Sequence, residues 1–230
     1  STGKHFCAGM DLSAFSNGVD DIPDDKKPDH ARVGEAVYRT AKELQGYISK
    51  LEEIRVPVIA AVHGGVIGGA LDLITACDMR FASNDAFFCI QEINIGMAAD
   101  VGTLQRLPKI IPDSKMREMA YTGRRMLADE AKDSGLVGEV YETQDEMLDA
   151  VHKLAAEIAS KSPVAIYGLK AVMNYSRDHN VSDSLDFNAL WSGAMLSQAD
   201  MTEAMTAQME KRDASFDKMV DVKKFNESKS

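Results

Sequence analysis

The sequence contains little cysteine and shows no metal-binding pattern. Three cysteines occur among 230 residues, namely Cys7, Cys77 and Cys89. Because the number is odd and no C-x-x-C pair is present, a disulfide framework is not expected and a reducing compartment is favoured. The five histidines form no H-x-x-x-H pair or other ligand spacing, so no metal site is predicted.

Long hydrophobic runs and an excess of positive charge are also absent. No apolar run reaches the ~18 residues that a membrane-spanning helix needs, and no signal peptide is visible. The formal net charge is −10 and the pI is about 5.0. Because nucleic acids and anionic membranes are bound by clustered cations, neither is an expected partner. The net negative charge does not exclude binding of an anionic small ligand, since a helix N-terminus and a few cations can hold one.

The first half of the chain alternates strand and helix signals. Hydrophobic residues make up 45% of the sequence, enough for a sizeable core. Apolar residues recur every three or four positions between Arg32 and Arg55, which predicts an amphipathic helix. Short apolar runs at 58–62, 79–83 and 86–90 predict strands, the first of them buried on both sides. This order of elements is typical of an α/β fold.

Weaker signals come from the remaining segments. Residues 1–12 resemble a short strand that enters a glycine turn, and the polar, proline-containing residues 13–32 predict a surface loop. Gly135 is a candidate helix C-cap, and Thr143 with Glu146 forms a capping-box pattern. Ser162-Pro163 predicts another helix start, and the chain from about 163 onward is expected to be helical.

Four glycines follow the strand "VIAAV", in "HGGVIGGALDL" (63–73). The first amides of a helix have no partner within the helix and carry partial positive charge, so they can hold an oxygen that becomes negative during a reaction. Neither the P-loop nor the G-x-G-x-x-G spacing is present, which favours a carbonyl over a pyrophosphate. A tight turn with close helix packing explains the glycines equally well.

Three carboxylates stand close to this segment or to the strand after it. Asp72 falls in the first turn of the glycine helix, where the helix dipole alone would favour an acid. Glu92 follows the strand at 86–90, and Asp100 lies in the loop "GMAADVG". Both could be ordinary solvated or turn-capping acids. Beside apolar neighbours, however, a carboxyl group favours its neutral form and can exchange protons near neutral pH; this is expected of Asp100.

Three blocks together resemble the enoyl-CoA hydratase/isomerase (crotonase) superfamily: "FCAGMDL" (6–12), "AAVHGGVIGGALDLITACDMRFAS" (60–83) and "QEINIGMAADVGTLQRLP" (91–108). The resemblance implies a crotonase-like ββα spiral core. Within the superfamily, the acid set resembles the dienoyl-CoA isomerase branch, which moves the double bonds of 3,5-dienoyl-CoA to 2,4-dienoyl-CoA. An enoyl-CoA hydratase, a Δ3-Δ2-enoyl-CoA isomerase and a non-catalytic truncated subunit are the alternatives.

The resemblance also implies roles for five residues. The backbone amides of Ala8 and Gly69 would form an oxyanion hole for a thioester carbonyl. Glu92 would remove a proton from C2, Asp100 would deliver one to C6, and Asp72 would support them. The substrate would be an acyl-CoA thioester, and no separate cofactor is expected.

Domain roles, assembly and location follow from the same resemblance. Residues 1–162 would form the spiral core and residues 163–230 a helical trimerisation region, giving a homotrimer or hexamer. Related chains carry about fifty residues ahead of "FCAG", including the first strands, and these are expected to be missing here. A peroxisomal or a mitochondrial location is expected. The C-terminal "ESKS" is close to a peroxisomal Ser-Lys-Leu signal without matching it, and a mitochondrial signal would have lain in the N-terminal part expected to be missing.

Overall fold

The computed structural model describes residues 1–11 and 29–221. Most of the loop predicted at 13–32 therefore lies outside the described residues. The chain divides into two compact units. The first comprises Ser1–Glu53 and Val58–Asp149, and the second comprises Ile54–Pro57 and the chain from Ala150 onward. The trimerisation role of 163–230 remains a prediction.

The first unit contains both sheets, and the second is helical. The elements in chain order are α1 (His30–Glu53), β1 (Ile59–Val62), β2 (Gly65–Ile67), α2 (Gly69–Thr75), β3 (Met79–Ser83), β4 (Phe87–Cys89), a 3₁₀ turn (Glu92–Ile95), α3 (Thr103–Arg106), a second 3₁₀ turn (Leu107–Lys109), α4 (Asp113–Thr122), β5 (Arg125–Leu127), α5 (Ala128–Asp133), β6 (Val140–Tyr141), α6 (Gln144–Ala159), α7 (Pro163–Asp178), α8 (Val181–Met195) and α9 (Gln198–Glu210).

The described strands form two three-stranded sheets. In one, β3 lies between β1 and β6 and is parallel to both. In the other, β4 lies between a parallel β2 and an antiparallel β5. Between β1 and β3, the chain passes through β2 of the other sheet and through α2, and the glycine segment lies in this connection. The predicted α/β architecture is confirmed.

The first strand differs from the prediction in its burial. Ala60 and Val62 are fully buried, whereas Ile59 and Ala61 are only half-buried. The strand therefore has one core face and one partly covered face, as alternation of side chains along a strand allows. The run at 58–62 does not indicate this difference, because all five of its residues are apolar.

The long helix α1 confirms the prediction from apolar spacing and begins two residues earlier than expected, at His30. None of its residues is fully buried. Its stripe of apolar residues reaches the core only near its end, where Leu51 packs against the buried cluster. Most of the helix is therefore available for polar contacts with neighbouring loops.

Three short strands were not predicted, and one predicted strand is reduced to a bridge. Strands β2, β5 and β6 contain only three, three and two residues, too few to show a period. The strand expected at 1–12 makes a single parallel bridge, from Cys7 to Val66. Residues around Cys7 are held in place by backbone pairing with β2.

The predicted capping signals are observed. The Thr143 hydroxyl accepts a hydrogen bond from the Glu146 amide at 3.2 Å, and the Ser162 hydroxyl accepts one from the Ala165 amide at 3.2 Å ahead of α7. Gly135 follows the C-cap Ser134 of α5 with φ of +83°, the left-handed conformation that favours glycine after a helix.

The second unit is built from helices, as predicted for the last third of the chain. Trp191 of α8 packs edge-on against Tyr167 of α7, with the ring centroids 4.9 Å apart. Leu190 and Leu196 are 74% and 66% exposed. No helix in the described ranges has the length and apolar character needed to cross a membrane.

Candidate active site

One cavity of the first unit, of about 350 Å³, is lined by all five residues singled out in the sequence. It opens where β2 ends, α2 begins and the loop after β4 passes. Its lining residues are Ala8, Gly9, Met10, Ile67, Gly68, Gly69, Asp72, Gln91, Glu92, Ile95, Met97, Asp100, Val101 and Arg125. Backbone donors, carboxylates and apolar side chains thus face one space, as in a typical small-molecule site.

The N-terminal segment is placed at the cavity by pairing with β2. The Cys7 amide donates to the Gly65 carbonyl at 3.2 Å, and the Cys7 carbonyl accepts from the Ile67 amide at 3.2 Å. Ala8 therefore comes next to the end of β2, where the chain turns into α2. Among the described residues, neither the Ala8 amide nor the Gly69 amide donates a hydrogen bond to another residue. Both are free to bind a ligand oxygen.

Two adjacent glycines at the start of α2 serve different purposes. Gly68 has φ of +57°, and a Cβ there would lie 3.2 Å from Oε1 of Glu92, so both backbone conformation and close contact require glycine. At Gly69 a Cβ would meet no atom within 4 Å. The protein itself does not require glycine at 69; an added methyl group would instead occupy space beside the cavity.

Asp72 is buried in the first helical turn after these glycines, with an exposed fraction of 1%. One carboxylate oxygen, Oδ1, accepts a hydrogen bond from the Thr103 amide at 2.5 Å. The other, Oδ2, has no hydrogen-bond partner among the described residues. Burial raises the pKa of Asp72, the hydrogen bond from Thr103 opposes the rise, and the nearby charge of Asp100 adds to it.

Glu92 begins the 3₁₀ turn that follows β4, and it is half-buried. Its carboxylate lies against the Gly68 backbone, as the contact distance at Gly68 shows. Burial raises the pKa of Glu92, and the negative charges of Asp72 and Asp100 raise it further. A carboxyl group with a raised pKa can accept and release protons closer to neutral pH.

Asp100 lies at the cavity but is exposed. The expectation that its apolar neighbours shield it from water is therefore wrong: Asp100 is exposed although Ala99 beside it is buried. Burial raises the pKa of Asp72 and Glu92 instead. The loop at Asp100 is fixed through its backbone, since its carbonyl accepts a hydrogen bond from Nε2 of Gln45 at 2.7 Å.

Arg125 is a site residue that the sequence analysis missed. It stands on β5, pairs with Cys89 in the sheet and lines the cavity. Its guanidinium lies over the Phe87 ring, 4.2 Å from the centroid, an arrangement that favours both packing and cation–π attraction. No signal could have found it, because the three-residue strand that carries it had no recognisable pattern.

Within residues 1–11 and 29–221, no group of three or more histidine, cysteine or acidic side chains is arranged to hold a metal ion. The three carboxylates at the cavity stand on three different elements, namely α2, the 3₁₀ turn and the Asp100 loop.

The chain is similar to one family model and to several curated proteins. The sequence model described as enoyl-CoA hydratase/isomerase matches residues 1–219. The chain is 47% identical over 213 residues to the mitochondrial Δ(3,5)-Δ(2,4)-dienoyl-CoA isomerase of Rattus norvegicus, covering 92% of this chain and 64% of the relative. It is 45% identical over 217 residues to the peroxisomal enzyme of that name from Arabidopsis thaliana, covering 94% and 77%.

A solved structure shows the same fold. The enoyl-CoA hydratase of Bacillus anthracis superimposes with a TM-score of 0.80 at 28% identity, over 93% of this chain and 78% of that one. The chain spans 64% of the length of the rat relative. The family model covers residues 1–219, and the α/β core has the fold of a solved enoyl-CoA hydratase. The chain therefore belongs to the enoyl-CoA hydratase/isomerase family and has the crotonase fold.

Proposed function

We propose that this chain isomerises 3,5-dienoyl-CoA thioesters to 2,4-dienoyl-CoA. The observation that carries the proposal is the single cavity lined by Asp72, Glu92 and Asp100 together with the amides of Ala8 and Gly69. It is supported by the names of relatives that are 45–47% identical. The reaction needs two proton-transfer groups along a flat conjugated chain and a site for the thioester oxygen.

The first requirement is stabilisation of an enolate. Removing a proton from C2 moves negative charge onto the thioester oxygen, and two backbone donors aimed at that oxygen lower the barrier. Ala8 and Gly69 line the cavity, and neither amide donates a hydrogen bond to another described residue. Both amides are therefore available to an oxygen that gains negative charge.

The second requirement is a base at C2 and an acid at C6. Glu92 is the proposed base: its raised pKa gives it more affinity for a proton than an exposed glutamate has. Asp100 is the proposed acid. Asp100 is exposed and lines the cavity, so we expect an acyl chain bound there to cover it.

Coupling among the acids supports this division of protons. The charge of Asp100 raises the pKa of both Asp72 and Glu92, and the charge of Asp72 raises that of Glu92. Three ionised carboxylates around one cavity therefore repel one another, and the set retains a proton more readily than separate acids would. Asp72 is the proposed supporting group, one methylene shorter than a glutamate and so less suited to hold a water against C3.

Cofactor, assembly and compartment belong to the same proposal. Proton transfer within one substrate needs no redox cofactor or metal ion, and coenzyme A enters as part of the substrate. We expect a homotrimer or hexamer from the family resemblance. The relatives are named mitochondrial in the rat and peroxisomal in Arabidopsis, and these two compartments are the candidates for this chain.

The test is a comparison of two substrates. Purified protein is given 3,5-octadienoyl-CoA or 2-octenoyl-CoA, and the formation of conjugated 2,4-dienoyl-CoA or of 3-hydroxyacyl-CoA is measured by chromatography. The proposal predicts isomerisation of the first and little hydration of the second. Dominant hydration would show an enoyl-CoA hydratase, and binding of both thioesters by calorimetry without turnover of either would show a non-catalytic subunit.

A further inference from the structure

One face of α1 carries three polar residues at helical spacing: Gln45, Ser49 and Glu52. Intervals of four and three residues place side chains on the same side of a helix. The apolar pattern that predicted α1 leaves this polar stripe unexplained. In the structure, all three side chains bond to one segment of the chain, residues 100–106.

The first contact holds the start of that segment. Nε2 of Gln45 donates to the carbonyl of Asp100 at 2.7 Å. The other end of the Gln45 amide is also fixed, because its Oε1 accepts a hydrogen bond from Nζ of Lys42 at 3.2 Å. With both ends bonded, the amide has one orientation, and the Asp100 carbonyl is bound to a donor on a regular helix.

The second contact holds the end of the segment. Nη2 of Arg106 donates to Ser49 Oγ at 2.9 Å and to Glu52 Oε2 at 2.8 Å. The side chains of Arg106 and Glu52 are only 12% and 16% exposed. An ion pair shielded from water in this way is screened less by salt than the exposed pairs elsewhere on α1 are.

Between the two anchors lie the groups that face the cavity. Asp100 lines the cavity, and the Thr103 amide donates a hydrogen bond to the buried Asp72. Gly102, with φ of +140°, brings its backbone against the Arg106 guanidinium, where any Cβ would collide with Nη1. Moving either anchor would therefore shift the proposed acid, Asp100, and the support of Asp72 together.

We infer that Gln45 and the Glu52–Arg106 pair are positioning residues, through which α1 sets the location of the Asp100 carboxylate relative to Glu92. None of the three lines the cavity, so each acts through the segment it holds. The inference rests on the proposed function, since it assigns Asp100 the role of proton donor. It predicts an effect on the chemical step rather than on thioester binding, because a small misplacement of a reacting group slows the reaction strongly.

The experiment uses two nearly isosteric variants and a matched control. Gln45→Glu replaces the donor nitrogen with an oxygen, and Glu52→Gln removes the charge that binds Arg106. The control, Glu53→Gln, makes the same change one residue later on α1, where the glutamate pairs with Lys50 at the exposed surface. Measured quantities are kcat and KM with 3,5-octadienoyl-CoA, and hydrogen exchange of the amides at 101–106 by mass spectrometry.

The inference predicts that both variants lose about tenfold in kcat, keep KM within about twofold, and exchange the amides at 101–106 faster, while the control changes none of these. Unchanged exchange in both variants would overturn the anchoring. Faster exchange with unchanged kcat would overturn its role in catalysis. Absence of isomerisation in the unmodified protein would instead overturn the proposed function, and the exchange rates would still decide whether α1 anchors the segment.

Discussion

The Thr103 amide donates a hydrogen bond of 2.5 Å to one carboxylate oxygen of Asp72, and the second oxygen of that buried carboxylate has no partner among the described residues. A buried charge with one oxygen unsatisfied reduces stability. The arrangement keeps a proton-binding group beside the cavity at the expense of the folded state, a compromise common where function requires it.

Replacing Asp72 by asparagine should therefore stabilise the protein. Because the pKa of Asp72 is raised in the folded state, the folded protein binds this proton more tightly than the unfolded chain, and stability falls as pH rises from the ordinary value through the raised one. At pH 7, Asp72→Asn should raise Tm by about 2–4 °C, corresponding to roughly 1 kcal/mol, as measured by calorimetry.

The same variant carries its own control. Below the ordinary aspartate pKa the wild-type carboxyl group is protonated in both states, so the difference in Tm between wild type and Asp72→Asn should disappear there. A variant that is less stable than wild type at pH 7 would show that the charge of Asp72 is stabilised by its surroundings, contrary to this account.

The rate should depend on pH through Glu92. A base must be ionised to accept a proton, so kcat/KM should fall on the acid side as pH drops through the raised pKa of Glu92. The charge of Asp72 contributes to that rise. In Asp72→Asn the acid limb should consequently move to lower pH, which a pH–rate profile of both proteins would detect. A limb at the same pH in both would contradict the coupling.

The two glycines at the start of α2 should respond differently to alanine. Gly68→Ala introduces a side chain at φ of +57° and at 3.2 Å from the Glu92 carboxylate, and should lower the free energy of unfolding by about 1–3 kcal/mol. Gly69→Ala meets no atom within 4 Å and should change stability by no more than about 0.5 kcal/mol. Denaturant unfolding separates the two.

Gly69→Ala should affect isomerase activity although it leaves stability nearly unchanged. Its added methyl group would stand beside the amide that we propose for the thioester oxygen, so Gly69→Ala should fold normally and lose most of its isomerase activity. Full activity in this variant would exclude close approach of the substrate oxygen to the Gly69 amide. Loss of stability comparable to that of Gly68→Ala would show that the open space at Gly69 is needed by the protein itself.

The sequence predicts best where many residues repeat one pattern. The apolar spacing of α1 and the run Met79–Ser83 of β3 gave elements that the structure confirms. The strands β2 and β5 were missed, because three residues are held in a sheet by their partners rather than by their own composition. The resemblance to the family, rather than periodicity, connected Ala8 to Gly69 across the intervening sixty residues.

The solvent exposure of the site residues was harder to predict than which residues form the site. All five predicted residues line one cavity, but apolar neighbours in the sequence suggested burial of Asp100, which is exposed. Neighbours along a loop need not pack together, so local composition does not give solvent exposure. Arg125 and the contacts of Gln45 depend on elements distant in sequence, and no local pattern indicates them.

The most direct test of the proposed reaction is the fate of hydrogen during turnover in D₂O. With 3,5-octadienoyl-CoA, the account predicts 2,4-octadienoyl-CoA carrying deuterium at C6, detected by NMR. In Asp100→Asn, isomerisation should be lost while exchange at C2 through Glu92 persists. Product that carries hydroxyl at C3, or an Asp100→Asn variant that still delivers deuterium to C6 at the wild-type rate, would contradict it.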